Sequence, residues 1–182
     1  LCEGLKDSGI KVINIGMGPT PMTYFAHYHF EADAAIMLTG SHNPSEYNGF
    51  KMVFNKHSFF AEDIQSLQRL LDNNELELAV GQIINQDITK EYIERDLLNI
   101  SLNRKLKIAW DPGNGAMGKV TREITEQLIN SENIIINEEV DGNFPNHHPD
   151  PTVPKNMIQL IEAVKENNCD IGLAFDGDGD RL

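Results

Sequence analysis

Three aspartates alternate with glycines at Asp176, Asp178 and Asp180, and the apolar run at residues 171–175 leads straight into them. Carboxylates at alternating positions, separated only by glycine, can converge on one point, and hard divalent cations take oxygen ligands. Without a cation, each pair near 4 Å repels by about 1 kcal/mol in water and about 4 kcal/mol at an effective dielectric of 20. A bound cation relieves that repulsion. The run is not an EF-hand loop, because the closing glutamate is missing from the pattern. A solvated acidic tail is the plainer alternative, and the apolar run that anchors the loop to a scaffold argues against it.

A second candidate is Ser41, in the run Thr39, Gly40, Ser41, His42, Asn43, Pro44. It follows the apolar stretch 34–39, and ligands of open α/β sheets bind beyond the carboxyl ends of strands. A serine there can act as a nucleophile or a phosphate carrier, with His42 and Lys51 close enough in sequence to stabilise a dianion. The plainer reading is a turn whose Ser, Asn and Pro reverse the chain. The run is not a hydrolase nucleophile elbow, which needs glycine two places before and two places after the serine.

A third stretch, residues 111–118 (DPGNGAMG), is a glycine-rich turn into a helix. It can cradle phosphate on backbone N–H groups or pack a strand closely on a helix. It matches neither the phosphate-loop pattern nor the dinucleotide fingerprint. His147 and His148 are adjacent, a poor spacing for two ligands on one metal, so a role in loop structure is expected. Cys2 and Cys169 lie far apart and read as two reduced thiols of a cytoplasmic protein.

The elements that must position these residues follow from periodicity. Residues 1–8 read as a helix ending at Gly9, and 11–16 as a strand. A helix follows from Pro21, capped by Thr20. Residues 34–39 read as a strand covered on both faces, and 49–55 alternate as another. Residues 61–74 carry Ile64, Leu67, Leu70 and Leu71 at helical spacing, whereas 75–88 are weakly patterned. A helix opens at Thr89. The second half repeats the scheme: strand 107–110, a helix at about 119–130, strand 134–136, and a long polar loop at 139–155. It closes with helix 157–167, striped by Ile158, Ile161 and Val164, and strand 171–175. Alternation of strands and helices implies layered α/β architecture with largely parallel sheets. The pattern occurs twice, with a seam between about Ile88 and Arg104. Two consecutive three-layer α/β domains with mixed, largely parallel sheets are expected, residues 1–100 and 101–182, in a chain cut at both ends.

Composition narrows the partners. With 28 acidic and 15 basic residues the formal charge is −13, which argues against a nucleic-acid binder and against docking on anionic membranes. A hydrophobic share of 40% is globular composition. No apolar run approaches a membrane span, and no signal-peptide pattern opens the sequence.

Taken in order, TGSHNPSEYNGFKM (39–52), DPGNGAMG (111–118), VDGNFPNHHPDPTVPKN (140–156) and AFDGDGDRL (174–182) resemble the α-D-phosphohexomutase superfamily, specifically its bacterial phosphomannomutase/phosphoglucomutase group. The resemblance covers essentially the whole sequence, as the latter part of the family's first domain and most of its second. It implies a Mg²⁺-dependent enzyme that interconverts hexose 6-phosphate and hexose 1-phosphate through a phosphoserine, with the hexose 1,6-bisphosphate as intermediate and activator. Ser41 is then the phosphorylated residue. Asp176, Asp178 and Asp180, with an oxygen of the Ser41 phosphate, hold the metal. His42 and Lys51 support catalysis, and Arg181 and Asn43 bind the phosphate or substrate. The partners implied are a phosphosugar and domains three and four of the same chain, without which no turnover is expected. A competing expectation is a cation-binding structural or regulatory module in which Ser41 is a plain turn residue.

Overall fold

The computed structural model describes residues 1–75 and 77–182. In the first half, helix α1 (Cys2–Asp7) leads into strand β1 (Lys11–Asn14), helix α2 (Thr20–His29) and strand β2 (Ala34–Leu38). Strands β3 (Phe50–Phe54) and β4 (His57–Phe59), helix α3 (Glu62–Asp72) and strand β5 (Gln82–Asn85) follow. The short strands β4 and β5 are absent from the periodicity reading. β1 pairs with β5 in parallel, while β2, β3 and β4 form an antiparallel sheet in that order.

β2 therefore differs from the expected strand covered on both faces. It is an edge strand among the described residues, and its last residue, Leu38, is exposed. An unbroken apolar run is ambiguous here, because the polar loop at its end turns the chain straight back as β3. Helix α3 forms where the spacing places it, but Ile64, Leu67, Leu70 and Leu71 all remain exposed.

The second half comprises α4 (Thr89–Leu97), β6 (Leu106–Asp111), α5 (Met117–Gln127), β7 (Ser131–Ile135), a 3₁₀ turn (Pro154–Met157), α6 (Ile158–Glu166) and β8 (Ile171–Ala174). Its sheet is wholly parallel, in the order β7-β6-β8. Asp111 at the end of β6 and Asp176 just beyond β8 thus emerge on the same carboxyl edge, tied by the Phe175 N–H to the Asp111 carbonyl at 3.0 Å.

The stripe on α6 is the neighbour of the expected one. Leu160 and Ala163 face the sheet, at 2% and 8% exposure, while Ile158 and Ile161 stand at 51% and 45%. Gly172 of β8 decides this. Its bare Cα admits Leu160 and Val164, whose side chains would lie 2.8–3.1 Å from a Cβ there. The helix therefore docks close by that face.

The region expected as a seam is filled. Ile88, Tyr92 and Ile93, at and within α4, join Met22 and Ala26 of α2 and Met117 and Val120 of α5 in one core cluster. A second cluster, Ala109, Leu160, Ala163 and Ala174, lies between α6 and the parallel sheet. Among the described residues, no helix is long and apolar enough to cross a membrane.

Candidate active site

The aspartate loop is shaped by its own first residue. Asp176 is fully buried, and its Oδ1 accepts the backbone N–H groups of Asp180 and Arg181, each at 3.1 Å. Its Oδ2 accepts the Arg181 fork, Nε at 3.0 Å and Nη2 at 2.7 Å. A carboxylate satisfied by two amides and a guanidinium closes the loop on itself and aims the Arg181 head at the Ser41 loop. Gly177 lets the two loops meet, since a Cβ there would run into the Ser41 carbonyl. The glycine-rich turn at 111–118 packs beneath, with the Ala116 N–H donating to the Gly177 carbonyl at 2.9 Å. That amide is thereby committed to the fold.

Ser41 sits at φ +53°, the left-handed region that a serine rarely adopts. The backbone is fixed there by the Ser41 N–H donating to Thr39 Oγ1 at 2.7 Å. Its Oγ lies 3.3 Å from Asp176 Oδ2, 3.3 Å from His42 Nδ1 and 3.2 Å from Arg181 Nη2. Arg181 Nη2 also donates to His42 Nδ1. Lys51, on β3, bridges Asp178 Oδ2 at 2.7 Å and Asp180 Oδ2 at 2.6 Å. Both carboxylates hold its ammonium above the usual lysine range, against the opposing effect of burial. Burial likewise pushes against ionisation of Asp178, but donors from Lys51, Thr20 and Thr39 outweigh it and hold the carboxyl below the ordinary range.

The residues present fit a divalent cation. One oxygen from each of Asp176, Asp178 and Asp180 lies within 4.8 Å of the others. Lys51 and Arg181 supply two positive charges against the three carboxylates, so one negative charge stays uncompensated. Asp178 Oδ1 is buried with no hydrogen-bond partner among the described residues. A bare anionic oxygen in such a place is costly unless a cation takes it.

The structure thus brings Ser41, His42, Lys51, Asp176, Asp178, Asp180 and Arg181 into one cluster. Asn43 stands apart. It is exposed and lines the open groove beside Ser41 with Tyr47, Asn48 and Phe50.

Thr20 differs from its expected role. Pro19 occupies the cap position of α2, with no side-chain capping bond. The Thr20 hydroxyl instead donates to Asp178 Oδ2 at 2.7 Å, and its N–H to the Asp178 carbonyl at 2.8 Å. Its place in a Pro-Thr-Pro turn reads as a cap, and only the fold shows the partner 158 residues away. His147 and His148 contribute to loop structure: His147 joins Asp111 Oδ2 at 2.9 Å to the His148 carbonyl at 3.0 Å.

An α/β scaffold that presents a serine against a triple-aspartate loop matches a known group. Residues 1–77 match phosphoglucomutase/phosphomannomutase α/β/α domain I, and residues 89–182 match domain II. The chain belongs to the phosphoglucomutase/phosphomannomutase family. It is 47% identical over its whole length to a phosphomannomutase/phosphoglucomutase of Pseudomonas putida, and 44% identical over 99% of its length to a phosphoglucomutase of Neisseria meningitidis. It spans 39% of the length of each of these relatives. A family crystal structure from Burkholderia thailandensis superposes over 98% of this chain and 41% of that one, with a TM-score of 0.91 and 38% identity.

Proposed function

We propose that the chain carries the phosphoryl-relay part of a phosphohexomutase of the phosphomannomutase/phosphoglucomutase type, interconverting hexose 6-phosphate and hexose 1-phosphate. The observation that carries this reading is the setting of Ser41 Oγ. It lies within 3.3 Å of an aspartate, a histidine and an arginine, although 135 residues separate Ser41 from Asp176.

In this reading phospho-Ser41 donates to the free hydroxyl of the sugar phosphate. The P–Oγ bond breaks as the new P–O bond forms, the sugar hydroxyl gives up its proton and the serine oxygen takes one. The bisphosphate then reorients, and the reverse step returns a phosphoryl group to Ser41. Arg181 balances charge on the transferring group, since Nη2 already reaches Oγ. Lys51, held protonated by two carboxylates, serves as fixed positive charge rather than as a base. His42 Nδ1 is the ring nitrogen nearest the serine proton, which suits it to acid–base work. Asn43, at the groove, is placed to meet substrate rather than metal. Asp176, Asp178, Asp180 and an oxygen of the Ser41 phosphate would hold Mg²⁺, which when bound supplies a Lewis acid beside the serine oxygen.

We assign the two units expected at residues 1–100 and 101–182 to the family's domains one and two, with the domain II match from residue 89 drawing α4 toward the second. Sugar recognition and the distal phosphate fall to domains three and four, a view supported by the 39% span, and the chain alone is expected not to turn over. A phosphosugar substrate and two unpaired thiols fit a cytoplasmic enzyme. Phosphopeptide mass spectrometry of the full-length protein tests the reading. Phosphate at Ser41 supports it, and its absence after incubation with hexose 1,6-bisphosphate would favour a cation-binding module without transfer chemistry.

A further inference from the structure

The two oxygens of Asp178 are loaded very unequally. Oδ2 accepts Thr20 Oγ1 at 2.7 Å, Thr39 Oγ1 at 2.9 Å and Lys51 Nζ at 2.7 Å. Oδ1, on the same buried carboxylate, accepts none among the described residues. A carboxylate oxygen offers two lone pairs, so the three donors crowd Oδ2 and leave Oδ1 as the freer oxygen of this carboxylate to meet a metal. They also fix the rotation of the carboxylate, because the donors arrive from three separate elements: the first turn of α2, the loop after β2, and β3.

Each threonine has one hydroxyl proton to give. Thr39 Oγ1 already accepts the Ser41 N–H at 2.7 Å, which turns its own proton toward Asp178. A chain of two hydrogen bonds therefore runs from the Ser41 backbone through Thr39 to the aspartate loop. Thr20 is fully buried and grips Asp178 twice, through its hydroxyl and through its backbone N–H. The Thr20 hydroxyl caps no helix, and the Thr39 hydroxyl, which accepts the Ser41 N–H in a local turn, has its own proton left for Asp178.

We propose that Thr20 and Thr39 are positioning residues that hold Asp178 by its Oδ2 and thereby present the unpartnered Oδ1 to the divalent cation. The inference rests on the magnesium reading of the aspartate loop. Metal affinity then depends on two hydroxyls that never touch the metal, and the orientation of the Ser41 loop is coupled to it through Thr39.

The test uses Mn²⁺ alone as the probe, its free concentration read by electron paramagnetic resonance on the purified full-length protein. Thr20→Val and Thr39→Val keep the side-chain volume and remove the donor. Each is expected to weaken Mn²⁺ binding about 10-fold or more, in the range typical of groups that orient metal ligands. Thr20→Ser and Thr39→Ser keep the donor and should bind within about threefold of the parent, which a purely structural role would not predict. Should a valine variant fail to fold, as judged by circular dichroism, the alanine variant at the same position takes its place against the serine one. Asp178→Asn separates the two layers of the argument. If it abolishes binding while the valine variants bind like the parent, the positioning role is overturned. If it leaves binding unchanged, the magnesium reading beneath it falls.

Discussion

The His147–Asp111 pair gives the sharpest stability prediction. His147 Nε2 lies 2.9 Å from Asp111 Oδ2, and Nδ1 lies 3.0 Å from the His148 carbonyl. Both ring nitrogens face acceptors, which suits the imidazolium, a donor at each nitrogen. The Asp111 side chain is fully buried and that of His147 is 13% exposed, so solvent screens the pair weakly. A hydrogen bond to a charged group contributes about 1.5–3 kcal/mol, and breaking a buried pair from one side costs about 3–5 kcal/mol. Asp111 Oδ1 keeps the Gly113 N–H at 3.0 Å and Asn137 Nδ2 at 3.1 Å, which moderates the loss. We therefore expect His147→Phe to cost about 2–3 kcal/mol, or about 4–12 °C in Tm for a chain of this size.

The pH dependence has a definite sign. The hydrogen bond to Asp111 raises the histidine pKa above its ordinary value, against burial. A raised folded-state pKa means that the contribution is fully present below the unfolded value near 6.5 and is lost as pH rises through the folded one. Urea unfolding of parent and variant at a series of pH values reads the difference directly. A difference below about 0.5 kcal/mol at pH 6, or one that grows with pH, would refute the reasoning.

Ser41→Ala in the full-length enzyme should lower mutase turnover by about three orders of magnitude or more with an unchanged circular dichroism spectrum; retention of a tenth of parent activity in a coupled assay would remove Ser41 as the carrier. Gly177→Ala puts a methyl group against the Ser41 carbonyl and should cost about 1–3 kcal/mol in urea unfolding. Leu160→Ala should cost about 2–5 kcal/mol, whereas Ile161→Ala, on the exposed side of the same helix, should stay within about 1 kcal/mol in the same assay.

Much of the site was legible because its chemistry is local. Alternating aspartates behind an apolar run, and a serine on the loop after another, announce themselves without tertiary information. The identity of the bare carboxylate oxygen was not legible, since it depends on two hydroxyls, 158 and 139 residues from Asp178. The helix α6 shows the same limit at the level of the fold. Two overlapping stripes satisfy helical spacing, and the choice falls to a glycine on a strand that the helix has yet to meet. Strands β4 and β5, with three and four residues, are too short for alternation to stand out. They are strands because β3 and β1 hold them.

The core that joins α2, α4 and α5 bears on how the molecule can move. Met22, Ile88 and Ile93 are almost wholly enclosed there, and the Ser41 and aspartate loops sit at the margins of the units this core joins. A hinge between those units would have to peel apart a dry apolar contact, as packed interiors resist continuous deformation. The pair of loops therefore behaves as a stator. In the proposed relay, reorientation of the bisphosphate would then fall to the sugar itself and to whatever closes over it, while the serine and its carboxylates hold still.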